Sequence, residues 1–359
     1  MTLIKVKSRG TDNVSGRRNL IINGAMQIAQ RGTSQTSINS AGYYVHDRFK
    51  INTNDAGVWT QTQETLTSSD TPFQNGFTKA LKLDCTTASS SLAAAGTLQV
   101  NQAFEGFDLQ RLGSGSSGAK SVTVSFWIKA TKTGTNILGS YQDDGGKQVA
   151  KSYTINASNT WEFKTVTLPG NTADVITNDN TRGRLVTWYF AAGSNRTTGT
   201  LRNTWTAYAA ADEAPGQVNH ADNTANNIHI TGIQVEIGDS ASDFEHRPFG
   251  EELLLCQRYF QSTQNFIGNG HSSAGCVGII TLTGEMRATP SFSQNGVFKV
   301  TDGYTADYTQ SSTGGTIYTN TSKTNGYMLY LQNISGLTAG KSYHARCADA
   351  NVLLCDAEL

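Results

Sequence analysis

Charge is scarce in this chain. Only 16% of its 359 residues are Asp, Glu, Lys or Arg, against ~25% in ordinary soluble domains. The 28 basic and 28 acidic side chains cancel. No surface-wide attraction for polyanions results, so nucleic acid is not expected as a partner. Long apolar runs are missing too. None reaches the ~18 residues that a membrane helix needs, and residues 1–20 hold no hydrophobic stretch of the secretory kind. Membrane insertion is therefore not expected, and synthesis in the cytoplasm is. Cysteine is sparse: Cys85, Cys256, Cys276, Cys347 and Cys355 are odd in number and far apart. That pattern argues against a disulfide framework and fits small buried apolar residues.

What remains favours strands. Gly is plentiful at 36 copies, and Thr, Ser and Asn fill much of the rest. Thr suits a pleated surface, while Gly and Asn make tight turns. Disorder is excluded by 14 Phe, 13 Tyr and 5 Trp spread along the whole length. The chain is too long for one core of ordinary size, so two domains are expected.

Alternation predicts strands at Tyr43–Ile51, Ala80–Cys85, Thr97–Phe104, Val122–Ala130, Trp161–Leu168, Leu185–Ala191 and Thr204–Ala210. Val122, Val124, Phe126 and Ile128 share the core face of the clearest one, which leaves Trp127 half exposed on the other. Ile228 and Ile230 share one parity, whereas Ile233, Val235 and Ile237 share the opposite one. An extra residue must be absorbed between them, which places a β-bulge at Thr231-Gly232. The intervening segments Thr86–Gly96, Leu112–Lys120, Ser140–Lys151, Gly170–Gly183 and Ala211–Asn226 read as long loops. With no helices between strands, a parallel α/β sheet is excluded. An antiparallel sandwich is left, most simply a jelly roll.

One helix is expected, from about Gly250 to Gln261. Pro248 precedes it, Glu251 and Glu252 occupy its first turn, and Arg258 falls in its second half, as the helix dipole favours. Leu253, Leu254, Leu255, Cys256, Tyr259 and Phe260 cover more than one side, so burial on several sides is expected. Alternation then returns at Val277–Leu282, Gly296–Val300, Tyr327–Leu331, Tyr343–Cys347 and Val352–Cys355. The resulting plan is all-β: an arm at 1–18, a jelly-roll β-sandwich at 19–248, a short connecting helix at 249–262 and a second, smaller C-terminal β-sandwich at 263–359.

Catalytic and metal motifs are thin. Gly113–Gly118 matches G-x-G-x-x-G, but a strand rather than a helix follows, so it lacks the dipole that a dinucleotide needs. The six histidines show no helical i, i+4 pair. His344 and Cys347 lie three apart near Cys355, which fits a strand end. Asp143-Asp144-Gly145-Gly146 offers oxygens for calcium, although two carboxylates at a hairpin are commonly only a turn. Asp143, Asp144, Asp174 and Asp179 give loop carboxylates of the kind glycosidases pair, with no spacing that selects a pair. No nucleophile elbow, kinase or P-loop signature occurs. No enzyme activity and no cofactor are expected.

The aromatics say more. Trp127, Trp188, Trp205 and Tyr208 stand on or beside strands with small polar neighbours. Tyr304, Tyr308, Tyr318 and Tyr327 stand in Thr/Ser/Gly/Asn-rich segments. Sugar rings stack their C–H faces on such rings, while Asn, Thr and Asp pair with hydroxyls. Trp205, Tyr208, Tyr304, Tyr308 and Tyr318 are the candidates for binding a glycan.

NLIINGAMQIAQRGTS (Asn19–Ser34) and YYVHDRFK (Tyr43–Lys50) resemble the opening of a carbohydrate-binding-module-like jelly roll found in virion proteins of tailed phages. GIQVEIGDSASDFEHRPFGEELLLCQRYFQ (Gly232–Gln261) looks like the end of that domain, and CDAEL (Cys355–Leu359) is similar to the finish of phage fibre C-terminal domains. The resemblance implies a tail fibre or other virion appendage, trimeric, attached to tail or adaptor proteins at its N-terminal end. It also implies a host cell-surface glycan as the outward partner, and the virion as location. The arm carries Lys5, Lys7, Arg9, Arg17 and Arg18 against Asp12 alone, which suits docking on an acidic protein surface. A connector or decoration subunit without receptor binding is the alternative, followed by a glycan depolymerase. No catalytic residue transfers. Glu236, Glu245 and Arg247 are expected to hold the domain exit by ion pairs or caps, and Glu251 and Arg258 to do the same for the helix.

Overall fold

The computed structural model describes residues 17–303, 307–313, 315–318, 326–347 and 353–359. Nearly all of the basic arm lies outside them. The chain divides into two compact units, Met1–Arg247 and Pro248–Leu359. Among the described residues, no helix is long and apolar enough to cross a membrane.

The first unit is a jelly-roll β-sandwich. Its strands are β1 (Ser34–Ile38), β2 (Gly42–Tyr43), β3 (Lys50–Asn54), β4 (Val58–Thr65), β5 (Lys79–Thr87), β6 (Thr97–Glu105), β7 (Val122–Ala130), β8 (Gly134–Gln142), β9 (Lys147–Ile155), β10 (Glu162–Leu168), β11 (Arg182–Ala192), β12 (Thr206–Ala207) and β13 (Asn227–Ile237). They form a six-stranded sheet, β1-β4-β5-β13-β7-β10, and a seven-stranded sheet, β12-β9-β8-β11-β6-β3-β2. From β6 onward the chain passes repeatedly from one antiparallel sheet to the other. The inward faces meet in one core that includes Trp59, Leu81, Phe126, Trp188, Phe190 and Ile230. Phe126 and Trp188 touch edge to face across it, 5.8 Å apart. Burying each such side chain is worth roughly 2 kcal/mol or more, so the core dominates the stability of this unit.

The bulge stands where the parity of β13 switches: its register against β7 shifts between Thr231 and Gln234. Gly232 supplies the left-handed turn there at φ 61°. A β-carbon on it would lie 2.7 Å from the Phe77 ring, so both backbone and packing require glycine.

Three strand expectations change. Tyr43–Ile51 is not one strand, because the chain coils between β2 and β3. Arg48 takes φ 71°, Phe49 N–H bonds back to His46 O, and Val45 to Phe49 are all buried regardless of parity. Ser140–Lys151 is not a loop but the hairpin of β8 and β9, turned by Gly145 and Gly146 at φ 80° and 57°. Thr204–Ala210 keeps only the two-residue β12.

The beginning and end of the first unit are stitched together. Glu245 accepts the Asn19 N–H at 2.6 Å. Arg247 donates to Ile21 O at 2.9 Å and to Asn19 O. The buried Asn19 amide donates to Ile233 O and its oxygen accepts from Ile21 and Val235 N–H, at 2.9–3.1 Å. Glu236 accepts from Ser242 N–H and Oγ–H at 2.7 and 2.6 Å, which fastens the turn after β13.

In the second unit the helix spans Phe249–Gln257, with Pro248 as N-cap, Glu251 and Glu252 in the first turn and Arg258 at the C-cap. It ends earlier than expected, because Phe260 opens a strand that pairs with Asp356. Burial on several sides does not hold within the single chain: Cys256 is buried, while Phe249 and Leu254 are exposed. The strands are β14 (Phe260–Thr263), β15 (Asn265–Ser272), β16 (Gly275–Thr281), β17 (Ser291–Gln294), β18 (Phe298–Thr301), β19 (Asp307–Thr309), β20 (Gly315–Tyr318), β21 (Gly326–Leu331), β22 (Ser342–Cys347) and β23 (Leu353–Asp356). A three-stranded sheet, β14-β23-β17, and a seven-stranded one, β19-β18-β22-β15-β16-β21-β20, enclose a second core with Phe266, Phe298, Leu329 and Tyr343.

Candidate functional site

The outward face of the seven-stranded sheet in the first unit carries a groove of about 290 Å³. Strand parity builds it. On β11 the even residues Val186, Trp188 and Phe190 enter the core, so Leu185, Thr187 and Tyr189 face outward with their cross-strand partners. Those partners are Tyr141 and Gly139 on β8, and Ala103, Asn101 and Gln99 on β6. Asn52 on β3 and Gln148 on β9 extend the same face. A β-carbon on Gly139 would come within 3.1 Å of the Tyr189 ring. Glycine there keeps the floor open.

The floor is polar but neutral. Asn52 donates to Gln99 at 3.0 Å, Gln99 to Thr97 at 2.9 Å and Gln148 to Ala209 O at 2.9 Å. One wall is Tyr208, 47% exposed, whose ring meets Tyr141 edge-on at 5.5 Å. Its hydroxyl donates to Glu213 at 2.7 Å, and Glu213 also pairs with Arg196. Burial, then the bond to Glu213, pushes the Tyr208 phenol up to about 12. Burial, then the Glu213 charge, raises Tyr189 well above the usual phenol range. Both phenols therefore keep their protons at neutral pH.

The other sequence candidates go elsewhere. Trp205 donates its indole N–H to Pro169 O at 2.7 Å and lies beneath the buried Arg184 guanidinium, 4.4 Å from the ring centroid. It is a packing residue outside the groove. Tyr308 rests against Tyr343 at the edge of the second core, 5.9 Å between rings. Tyr318 belongs to β20, with its side chain outside the described residues, and Tyr304 is outside them altogether. The two calcium candidates, Asp143 and Asp144, both have protein partners. Asp143 is gripped by two Arg182 nitrogens at 2.8 and 2.6 Å, while Asp144 accepts from Thr177 N–H and Oγ–H at 2.9 and 3.0 Å. Among the described residues no three His, Cys, Asp or Glu side chains converge.

Sequence reasoning missed Tyr141, Gln148, Arg196 and Glu213. The first two lie on strands within 140–151, where a loop is expected from the sequence. Asp143-Asp144-Gly145-Gly146 between alternating flanks was a usable hairpin signal.

No family model matches the chain, and no curated protein matches it. Among solved structures, the enzymatically active domain of bacteriophage CBA120 tailspike protein 4 aligns over 61% of this chain and 21% of its own, at 11% identity and TM-score 0.30. This chain thus spans about a fifth of that tailspike structure. TmCBM61, solved with β-1,4-galactotriose, aligns over 62% of this chain and 99% of its own, at 11% identity and TM-score 0.28. A family 11 carbohydrate-binding module from Clostridium thermocellum, with a β-1,3-1,4-mixed-linked tetrasaccharide, aligns over 60% and 98%, at 10% identity and TM-score 0.27. At these values the fold rests on the sheet order and cores described above, and the chain is an all-β protein with a jelly-roll β-sandwich.

Proposed function

We propose that this chain is a phage virion appendage protein that recognises host-surface glycan through the groove on the seven-stranded sheet. The groove carries the reading. A partly exposed tyrosine wall stands over a neutral floor of amides and hydroxyls, the combination that stacks a pyranose face and pairs its hydroxyls. The phage assignment is supported by the motifs at Asn19–Ser34 and Gly232–Gln261, whose residues also clasp the ends of the unit.

Binding without bond cleavage is part of the proposal. It is supported by the loop carboxylates Asp143, Asp144, Asp174 and Asp179, each engaged by a local partner. Purified chain applied to a glycan array and to host cells should bind, and Tyr208→Ala should weaken that binding. Wild-type binding no stronger than that of an unrelated β-sandwich would end the adhesion claim.

A structural connector is the second reading, and both readings share a homotrimer whose contact we propose on the second unit. Ile267, Ile279 and Met328 stand side by side on β15, β16 and β21, 72%, 63% and 42% exposed. Such a row suits a protein partner, and we assign it to the homotrimer contact. Virion imaging separates the readings: a subunit enclosed at both ends cannot be the adhesin.

A further inference from the structure

We propose that the first unit carries a second saccharide site, on the outward face of the six-stranded sheet, that takes a neutral pyranoside. A cleft of about 490 Å³ lies there, larger than the groove and built from different residues.

Its walls are aromatic and held rigidly. On one side Phe77, Phe244 and His246 pack on one another at 4.8–5.1 Å. On the other, Trp127 and Phe163 are direct cross-strand partners with rings 5.2 Å apart. Phe163 is 47% exposed on the edge strand β10. The bulge at Gly232 admits Phe77 to the wall, so the irregularity of β13 shapes the cleft. Phe77 clusters with Leu66, Ala80 and Trp161, and Trp127 and Phe244 pack against that cluster. They are therefore preorganised, and a ligand need not order them.

The polar groups select the ligand. Asn75, Ser242 and Asp243, with the buried Ser125, also line the cleft. They offer amide, hydroxyl and carboxylate partners to sugar hydroxyls. The lining side chains include one carboxylate and neither lysine nor arginine, which disfavours acidic sugars. Arg18 donates to Ser242 Oγ and Asp243 O at 3.1 and 3.3 Å and braces that rim. Two sites on opposite faces of one sandwich let a single unit hold two glycan segments, so affinity for a dense polymer exceeds that for a free sugar.

The test uses the full chain with methyl galactoside, methyl glucoside and N-acetylglucosamine, read by saturation-transfer NMR and by tryptophan fluorescence. At least one sugar should bind in the millimolar range. Phe163→Ala should weaken that binding about tenfold and shift the fluorescence titration to correspondingly higher sugar. Phe163 is solvent-facing, so this variant should fold, as circular dichroism will show. Tyr208→Ala should leave the Phe163-dependent binding unchanged. Loss of all binding in Tyr208→Ala, with none lost in Phe163→Ala, overturns the second site and leaves the groove standing. Binding lost only in Phe163→Ala supports the second site and removes the groove. Failure of all three sugars to bind the wild type overturns the second site.

Discussion

Glu213 holds two groove residues at once, accepting from Tyr208 and pairing with Arg196. Replacing Tyr208 with Ala removes the wall and should weaken glycan binding about tenfold by isothermal calorimetry. Tyr208→Phe keeps the ring and should cost less. Tyr208 was legible because an aromatic amid small polar residues is conspicuous. Glu213 and Arg196 were not, since their meeting depends on how two short helical turns, 17 residues apart, fold against each other. Two other residues set a pH response. Burial drives His46 down to about 3, and burial, then nearby Lys132, does the same to His220. Above the ordinary value of 6.5, neither the folded nor the unfolded state carries these protons, and stability is full. Between 6.5 and 3 only the unfolded chain takes them up, so stability declines as pH falls, by up to about 1.4 kcal/mol per pH unit for each. Glu162 adds to the loss lower down. Burial opposes its ionisation, but bonds from Lys164, Ala157 and Asn156 outweigh this and bring it to about 2. Melting followed from neutral pH to about pH 4 should show a continuous drop, and a flat profile would contradict the burial of both imidazoles.

Among elements, the bulge and the clasp matter most. Gly232→Ala would meet both a left-handed backbone and the Phe77 ring, and should destabilise the first unit by more than about 1 kcal/mol. Asn19→Ala would strand the Ile21 and Val235 N–H groups and Ile233 O in the interior. At about 1–3 kcal/mol per group, a loss of about 3 kcal/mol or more is expected in urea unfolding. The bulge was readable because alternation changes phase within one strand, a signal internal to the chain. So were β5, β6, β7, β10 and β11, whose core-facing apolar residues recur at a period of two. The coil at Val45–Phe49 misled because it buries both parities. β8 and β9 hid because their outward faces, with Gly139, Tyr141, Gln148 and Ala150, are neither polar nor apolar enough to alternate.

At the scale of the molecule, the two units differ in what they leave uncovered. The first exposes polar and aromatic concavities, and the second exposes an aliphatic row. Ile267→Thr with Ile279→Thr removes most of that row without touching the core, so folding should persist while association weakens. Sedimentation of the wild type as a stable monomer would remove the trimer assignment, and an unchanged oligomer in the double variant would move the contact elsewhere. The fastening of Asn19 and Ile21 to Glu245 and Arg247 has a mechanical corollary. Tension passing along the polypeptide arrives at and departs from the jelly roll through neighbouring atoms. Force therefore crosses a handful of bonds at one corner, and the sheets are loaded only once that corner parts.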